Sequence, residues 1–238
     1  MKAAQAVEFQ RLAGVITVDN LNIRVTFSKT DRAKYISHLD LNRTMQRAIK
    51  RAGIPVWYTK GFNPHAYIMF PLALSLGFDS KCELMDFTLT SPMDFDEIKD
   101  KLNDALPDGL KVSRVSEQVK KHTEIEKSEF RLIVKTDVTA EIALAKFNEF
   151  LGREKIEIEK ATKKKGINLV DIKLMIKLVE IKIEEDYLII IVVLPAGTQT
   201  NINPMLVTEA FSKLMGIDIS SQKIERTKIL CEDDNYFI

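Results

Sequence analysis

The chain has 238 residues, 45% of them hydrophobic and 29% charged, with a formal net charge of +1 at pH 7. This composition is typical of a folded protein and excludes collagen-like and disordered chains. Cys82 and Cys231 form no Cys-x-x-Cys pair, so neither a disulfide framework nor a zinc or iron–sulfur site is indicated. No apolar run reaches the roughly 18 residues of a membrane helix, and residues 1–20 lack the pattern of a signal peptide. We therefore expect a cytoplasmic protein without a membrane partner.

The first half of the chain predicts the element order β, α, β, β, α, β. Residues 22–28 alternate apolar and polar side chains, as a half-buried strand does. A helix should follow, because Ser37 and Asp40 have the spacing of a capping box and Gly53 gives a stop signal. A second helix should begin near Ser91. The other segments are typical of extended chain or strands, and they are PVWYT, AYIMFPLAL, CELMDFTLT and GLKVSRVSEQV.

The second half predicts the same order. Helices are expected over residues 138–152 and from Asn203, as the cap, to Gly216, as the stop. Strand patterns occur in SEFRLIVKT, IEIEKA, VDIKLMIKLVEIKIE, YLIIIVVLP and SSQKIERTKILCE, and the basic run KATKKKG falls at an expected hairpin tip. The pattern predicts an α+β protein with two tandem ferredoxin-like (βαββαβ) domains, each with an antiparallel sheet. The expected boundaries are an N-terminal extension at 1–20, a first domain at 21–120 and a second at 128–238.

Charge is unevenly distributed in the first half. Between Arg24 and Lys60 nine basic side chains accompany two acidic ones, whereas residues 61–118 contain five basic and ten acidic side chains. At about 100° per residue, Arg43, Arg47 and Lys50 fall in one narrow sector of the first helix with Arg51 on its flank. Such a strip suits phosphate groups, which arginine grips through its planar fork. The alternative is a solvated helix face whose long side chains cover apolar surface.

Aromatic residues follow this helix closely. Trp57, Tyr58 and Phe62 lie next to Lys60, and aromatic rings of this kind stack on unpaired bases. Gly61 and Pro64 predict a fixed turn in KGFNPH. That turn is expected to present Lys60, Asn63 and His65 as a ligand or anion grip, with a purely structural turn as the alternative.

Three residues are candidates for catalysis. His38, Asp40 and His65 combine imidazoles, which titrate near neutral pH, with a carboxylate, and the same set suits a divalent metal. Against this, Asp40 already has a capping role, and we assign no metal ligands. The sequence has no phosphate-binding Walker loop, dinucleotide-binding glycine motif, nucleophile elbow or His-Glu-x-x-His motif, so we expect no cofactor.

The motifs of residues 27–89 resemble those of the bacterial family of radical SAM-linked proteins, a domain of unknown function. The resemblance rests on SHLD at residues 37–40, RA..RAG.P at 47–55, GFNPH at 61–65 and LSLG..S..E at 74–83. Weaker similarities are VDIK at 170–173, NINP at 201–204 and ERTKIL at 225–230. Ala66 departs from the family pattern, in which a second proline is expected after the histidine.

The resemblance implies a partner. Such domains are fused to, or encoded beside, cobalamin-binding radical S-adenosylmethionine enzymes, and this chain lacks the Cys-x-x-x-Cys-x-x-Cys cluster motif. We therefore expect an accessory subunit, leaning away from an enzyme, that binds RNA or an RNA-containing substrate through the cationic helix and the aromatic loop. Two alternatives remain open, namely an RNA-modifying or RNA-processing enzyme using the three candidate residues, and a scaffold that contacts only protein.

Overall fold

The computed structural model describes residues 21–161, 167–197 and 200–237. The predicted N-terminal extension at 1–20 and residues 162–166 of the basic run KATKKKG lie outside the described residues. The described part is a mixed α+β structure with four α-helices and a large, mostly antiparallel sheet. None of these helices is long and apolar enough to cross a lipid bilayer.

The first half (residues 21–120) contains four strands and two α-helices. Strand β4 pairs with β1, β1 with β3, and the short β2 with β3, all antiparallel. A single 3-10 turn precedes α1. The elements are β1 (Leu21–Lys29), α1 (His38–Ala52), β2 (Ile68–Met69), β3 (Asp79–Leu89), α2 (Phe95–Ala105) and β4 (Leu110–Glu117).

The second half (residues 127–237) has a similar plan with one added hairpin. Its sheet has the strand order β10-β5-β9-β8, and a separate two-stranded hairpin, β6–β7, follows the first helix. The segment VDIKLMIKLVEIKIE, predicted as one strand, is two strands separated by a 3-10 turn. The elements are β5 (Lys127–Thr136), α3 (Ala140–Gly152), β6 (Glu157–Ala161), β7 (Ile167–Asp171), β8 (Lys177–Glu184), β9 (Tyr187–Pro195), α4 (Met205–Met215) and β10 (Ile219–Leu230).

When only the four strands that each half contributes to the large sheet are counted, both halves place them in the order fourth, first, third, second. The two sheets join into one because β10 pairs parallel with the beginning of β3, at Glu225 with Asp79 and Arg226 with Ser80. On the side of β3 away from β1, β10 pairs with the beginning of the strand and β2 pairs near its end. The parallel pairing makes the halves a single continuous sheet.

Local sequence signals explain the helix ends. Ser37 caps α1 by accepting a hydrogen bond from the amide of Asp40, and Gly53 ends the helix in the left-handed conformation at φ 65°. The helix predicted to begin near Ser91 begins at Phe95, and its cap is Asp94, which accepts from two amides of the first turn. Asn203 accepts from the amide of Met205 at the start of α4, and Gly216 ends that helix at φ 64°.

A buried ion pair holds the junction between the halves. The guanidinium of Arg226 donates to both carboxylate oxygens of Glu83 at 2.6 and 2.7 Å, and both side chains are only 3% exposed. Glu83 lies on the face of β3 that packs against α1 and α2, and Arg226 lies on the face of β10 that packs against α3 and α4. The four helices therefore cover the same side of the sheet.

The opposite side of the sheet is covered in part by the end of the chain. Phe237 packs there with Leu84 of β3 and Ile125 of the connection between the halves. Its ring also lies 4.3 Å from the guanidinium of Arg24, which makes a bidentate ion pair with Asp86. The C-terminal segment, which follows the second half, thus closes over the first.

Candidate functional site

The exposed face of α1 carries three cations. Arg43, Arg47 and Lys50 are exposed, and helical geometry places them within about 60° of one another around the axis. Arg43 makes an exposed ion pair with Asp40 at 3.5 Å. Within the part of the chain that the structure describes, no carboxylate oxygen lies within 4.0 Å of Arg47 or Lys50. We call these three residues the cationic strip.

Arg51, predicted with this group, has a structural contact. It is exposed, but its guanidinium donates a hydrogen bond to the carbonyl of Ala105, the last residue of α2. A cation at this position satisfies a carbonyl that the helix itself leaves without a partner and interacts favourably with the helix dipole. Arg51 therefore connects two helices at the edge of the cationic strip.

The aromatic segment after α1 forms a small antiparallel hairpin over residues 57–67, which we call the hairpin arm. The amide of Thr59 donates to the carbonyl of His65 at 2.9 Å, and the amide of Tyr67 donates to the carbonyl of Trp57 at 3.0 Å. Tyr58 pairs with Ala66 between them. The arm is anchored to the sheet where the amide of Trp57 donates to Thr88 of β3.

The two faces of the arm differ. Trp57 and Tyr67 contact each other edge to face, with ring centroids 5.4 Å apart, and Thr59 contacts His65 on the same face. Tyr58 belongs to the other face, whose Ala66 is buried in the core beneath α1. The predicted aromatic group is therefore divided between two faces, with Trp57 on the outer one and Tyr58 on the one towards the helix.

The tip of the arm presents an aromatic ring to solvent. Phe62 is fully exposed, and Lys60 and Asn63 beside it are exposed as well. Gly61 has φ 130°, a backbone conformation that favours glycine. The ring of Phe62 therefore stands on a turn whose shape depends on Gly61.

The arm stands beside the cationic strip. The side-chain amide of Gln46 in α1 donates to the carbonyl of Ala66 at 3.2 Å. Gln46 lies about 40° around the helix axis from Lys50 and about 60° from Arg43. The strip therefore runs between the hairpin arm on one flank and the Arg51 contact with α2 on the other.

The candidate catalytic residues have separate local roles. His38 packs its ring against Phe70 at 5.2 Å, and Asp40 accepts a hydrogen bond from the hydroxyl of its cap Ser37 at 2.7 Å. The Nδ1 of His65 lies 3.1 Å from the carbonyl oxygen of Asn63. In the described ranges no three histidine, cysteine or acidic residues are close enough together to hold a metal ion.

The arrangement includes residues that the sequence analysis did not select. Tyr67 completes the aromatic pair, Thr59 positions His65, and Gln46 connects the arm to the helix. Trp57 and Tyr67 are equidistant from Phe62 in sequence, which is the symmetry expected of a hairpin, and this signal could have predicted their contact. The contact of Gln46 with a backbone carbonyl leaves no such signal.

Two shallow clefts lie away from this surface. The larger has a volume of about 580 Å³ and is lined by one lysine and several acidic residues near the C-terminal segment, among them Glu124, Glu126 and Asp233. The smaller, of about 420 Å³, lies between the end of α3 and α4. Neither is lined by residues of the cationic strip or the hairpin arm.

Residues 22–204 match the family described as "Uncharacterized protein conserved in bacteria (DUF2344)", and this range includes the whole of α1 and the hairpin arm. The chain belongs to the DUF2344 family.

None of the curated proteins matches it. Among solved structures, an unknown protein from Galdieria sulphuraria is 16% identical with a TM-score of 0.29. A putative glycine cleavage system transcriptional repressor is 12% identical with a TM-score of 0.25. Each likeness covers 87% of this chain and 99% of the other, and both are too weak to bear on fold or function.

Two of the sequence motifs noted above meet at the junction between the halves, the second of them beyond the residues that match the family. Glu83 ends the LSLG..S..E motif and Arg226 belongs to ERTKIL, and these two residues form the buried ion pair. Lys29 is buried beside them, where its ammonium donates to the carbonyls of Lys34 and Ile36 ahead of α1. Burial lowers the pKa of Lys29, although the carboxylate of Glu83 opposes this shift. These motif residues therefore serve the architecture that positions α1.

Proposed function

We propose that this DUF2344 protein is an RNA-binding accessory or substrate-binding subunit that works with a separately encoded radical S-adenosylmethionine enzyme in the cytoplasm. The observation that carries the RNA part is the cationic strip. Its three cations share one exposed face of α1, and two of them have no carboxylate partner among the described residues. The hairpin arm adds Lys60 and exposed aromatic rings beside the strip.

The chemistry of the strip suits a polyanion. Two of its cations are arginines, whose planar guanidinium groups can donate two parallel hydrogen bonds to a phosphate. Nucleic acid binding of this kind releases counterions and weakens as salt rises. With three or four phosphate contacts to a single strand, the logarithm of affinity should fall with the logarithm of salt concentration with a slope of roughly −2 to −3.

The proposal includes the fold of each half. We assign both halves to the ferredoxin-like class because the first half has the order β, α, β, β, α, β, and the second half has the same order once the separate β6–β7 hairpin is set aside. Ferredoxin-like sheets occur among RNA-binding modules, but function depends on the site and not on the fold. The surface proposed here is a helix and a hairpin, and not the open face of the sheet.

The proposed enzyme partner follows from the family resemblance. The chain has no cluster-binding cysteine motif of its own, so radical chemistry would be supplied by a second protein. The test is to co-express the protein with a cobalamin-binding radical S-adenosylmethionine enzyme of the same organism and to measure co-elution in gel filtration. Separate elution at every protein concentration would remove the partner from the proposal and leave RNA binding to be judged separately.

The RNA part is tested by a charge-removal variant. Arg43, Arg47 and Lys50 are replaced by alanine together, and Arg51 is left in place because it contacts α2. The matched control replaces Arg114, Arg153 and Lys155, which are also exposed, and changes the net charge equally. Fluorescence anisotropy with labelled cellular RNA should show a roughly tenfold or greater loss for the strip variant and a much smaller loss for the control. Equal losses, or salt-independent binding, would contradict the proposal.

One observation favours a second candidate, an RNA-modifying or RNA-processing enzyme. If Nδ1 of His65 donates to the Asn63 carbonyl, Nε2 is left as a hydrogen-bond acceptor, as in a general base. Turnover of RNA that disappears in His65→Ala, while RNA affinity is retained, would support this candidate. Turnover that persists in the His38→Ala and His65→Ala double variant would eliminate it. Absence of both RNA binding and turnover would favour a scaffold that contacts only protein.

A further inference from the structure

We propose that the hairpin arm is a base-stacking device that makes the site selective for unpaired nucleotides, so that its substrate class is single-stranded RNA and not duplex. This inference rests on the proposed RNA-binding function. It assigns the two parts of the surface different tasks. The cationic strip binds phosphates of any RNA, whereas the arm contributes only when bases are available.

The first support is the exposure of the aromatic rings. Phe62 is fully exposed at the tip, and Tyr58 and Tyr67 are 41% and 51% exposed. In the edge-to-face pair of Trp57 and Tyr67 only one ring presents its face to the other, so the pair retains ring surface towards solvent. An arm with exposed rings on both faces and at its tip offers stacking positions to consecutive bases.

The second support is the rigidity of the arm. The hydroxyl of Thr59 accepts a hydrogen bond from the amide of His65 at 3.2 Å, and the backbone ladder closes the hairpin below the tip. Gln46 ties the arm to α1, and Trp57 ties it to β3. A platform that is ordered before binding loses little conformational entropy when a base stacks on it.

The third support is the geometry of RNA itself. In an A-form duplex the base faces are already stacked on each other and the major groove is too narrow and deep for side chains. The phosphates remain accessible to the cationic strip in both forms. A ring such as that of Phe62 can therefore contact a base face only where the strand is unpaired, and each stacked base strengthens binding by about tenfold.

The experiment compares one short RNA with a duplex of the same sequence, using the full chain and fluorescence anisotropy. The single strand should bind about tenfold or more tightly than the duplex at equal salt. Phe62→Ala should remove most of this difference and Phe62→Tyr should retain it, while duplex affinity is unchanged in both. The matched control is Leu174→Ala, because Leu174 is 98% exposed in the second half and its removal costs similar apolar surface.

An internal probe gives an independent measurement. Trp57 is the only tryptophan of the chain, so tryptophan emission reports on the arm alone. The single strand should quench this emission in proportion to binding, and the duplex should bind without quenching it. Salt-dependent RNA binding with equal affinity for both forms and unchanged emission would overturn the stacking arm but not the proposed function. Absence of binding of the wild-type chain to either RNA form would overturn both the stacking arm and the proposed function.

Discussion

The first helices of the two halves occupy the same place in the strand order but present different surfaces. On α1 an exposed face carries Arg43, Arg47 and Lys50. At the positions of α3 that correspond by distance from the helix start, Ala145 and Glu149 replace the two arginines. Both helices bury an apolar face against the sheet, so the fold does not require cations at these positions. The cationic face is therefore a property of α1 and not of the helix position in the fold.

The hairpins that follow these helices differ in the same way. The hairpin arm of the first half bears aromatic rings and Lys60, whereas β6 of the second half bears the exposed acids Glu157 and Glu159. Glu159 forms an ion pair with Lys213 of α4. The exposed aromatic rings of the hairpin arm thus have no counterpart on β6, although the sequence places the basic run KATKKKG at the tip of the second-half hairpin.

The largest effect is expected from breaking the junction between the halves. Glu83→Gln removes the carboxylate that accepts from Arg226 and leaves a buried guanidinium without its counter-charge. Breaking a buried ion pair by removing one partner costs about 3–5 kcal/mol. Urea denaturation should show this loss in the free energy of unfolding of the whole chain.

The control for the junction is Glu225→Gln. Glu225 is adjacent on β10, but its ion pair with Lys81 is long, at 3.7 Å, and Lys81 is 75% exposed. The expected loss is below about 1 kcal/mol. Equal losses for the two variants, or two separate unfolding transitions in the wild type, would show that the junction does not couple the halves.

The next effect tests whether the position of the charge matters. In the background lacking Arg43, Arg47 and Lys50, the changes Ala145→Arg and Glu149→Arg place cations on α3. The triple-alanine background is expected to bind RNA roughly tenfold more weakly than the wild type. If RNA binding requires the strip beside the hairpin arm, the two new arginines should raise the affinity of that background by about twofold at most, because they restore only the long-range charge. Anisotropy measures this recovery, and full recovery would show that net charge alone determines binding.

Local signals in the sequence are sufficient for α1 and its strip. Ser37 and Gly53 are adjacent to the helix they delimit, so the ends of α1 and the clustering of the cations could be predicted and are confirmed. A mixed α+β architecture was also predictable, because alternating and helical periodicities are local patterns. The Asp94 cap was missed because several residues before α2 are good caps and only the helix position selects among them.

Contacts between distant residues could not be predicted. The parallel pairing of β10 with β3 joins residues far apart in sequence, and nothing near Arg226 specifies Glu83 as its partner. The division of Trp57 and Tyr58 between two faces depends on the hairpin register, which the loop sequence does not specify alone. Arg51 resembles its neighbours in sequence, and only the position of α2 gives it a carbonyl partner.

A smaller effect distinguishes Arg51 from the strip. Arg51→Ala removes the hydrogen bond to Ala105 and should lower the free energy of unfolding by about 0.5–1 kcal/mol, since the contact is exposed. Arg47→Ala should leave stability unchanged within about 0.5 kcal/mol but weaken RNA binding more than Arg51→Ala does. Thermal denaturation and anisotropy on both variants check this. The reverse pattern would assign the RNA contact to Arg51.

The smallest effect concerns the C-terminal segment, which has no counterpart at the end of the first half. Asp234 accepts hydrogen bonds from the ammonium groups of Lys177 and Lys127, and these lower its carboxyl pKa from 3.8 to about 2. Because the folded-state pKa is depressed, the stabilisation is present above the unfolded pKa and is lost as the pH falls from about 4 to about 2. The Asp234→Asn variant should therefore be slightly less stable than the wild type near neutral pH and equally stable near pH 2, as urea denaturation at both pH values would show.

High salt should reduce the stability difference at neutral pH, since the charged groups are exposed and screened. A difference that persists at low pH would mean that the amide disturbs the turn itself, and that the segment is held over the first half by Phe237 and not by these charges.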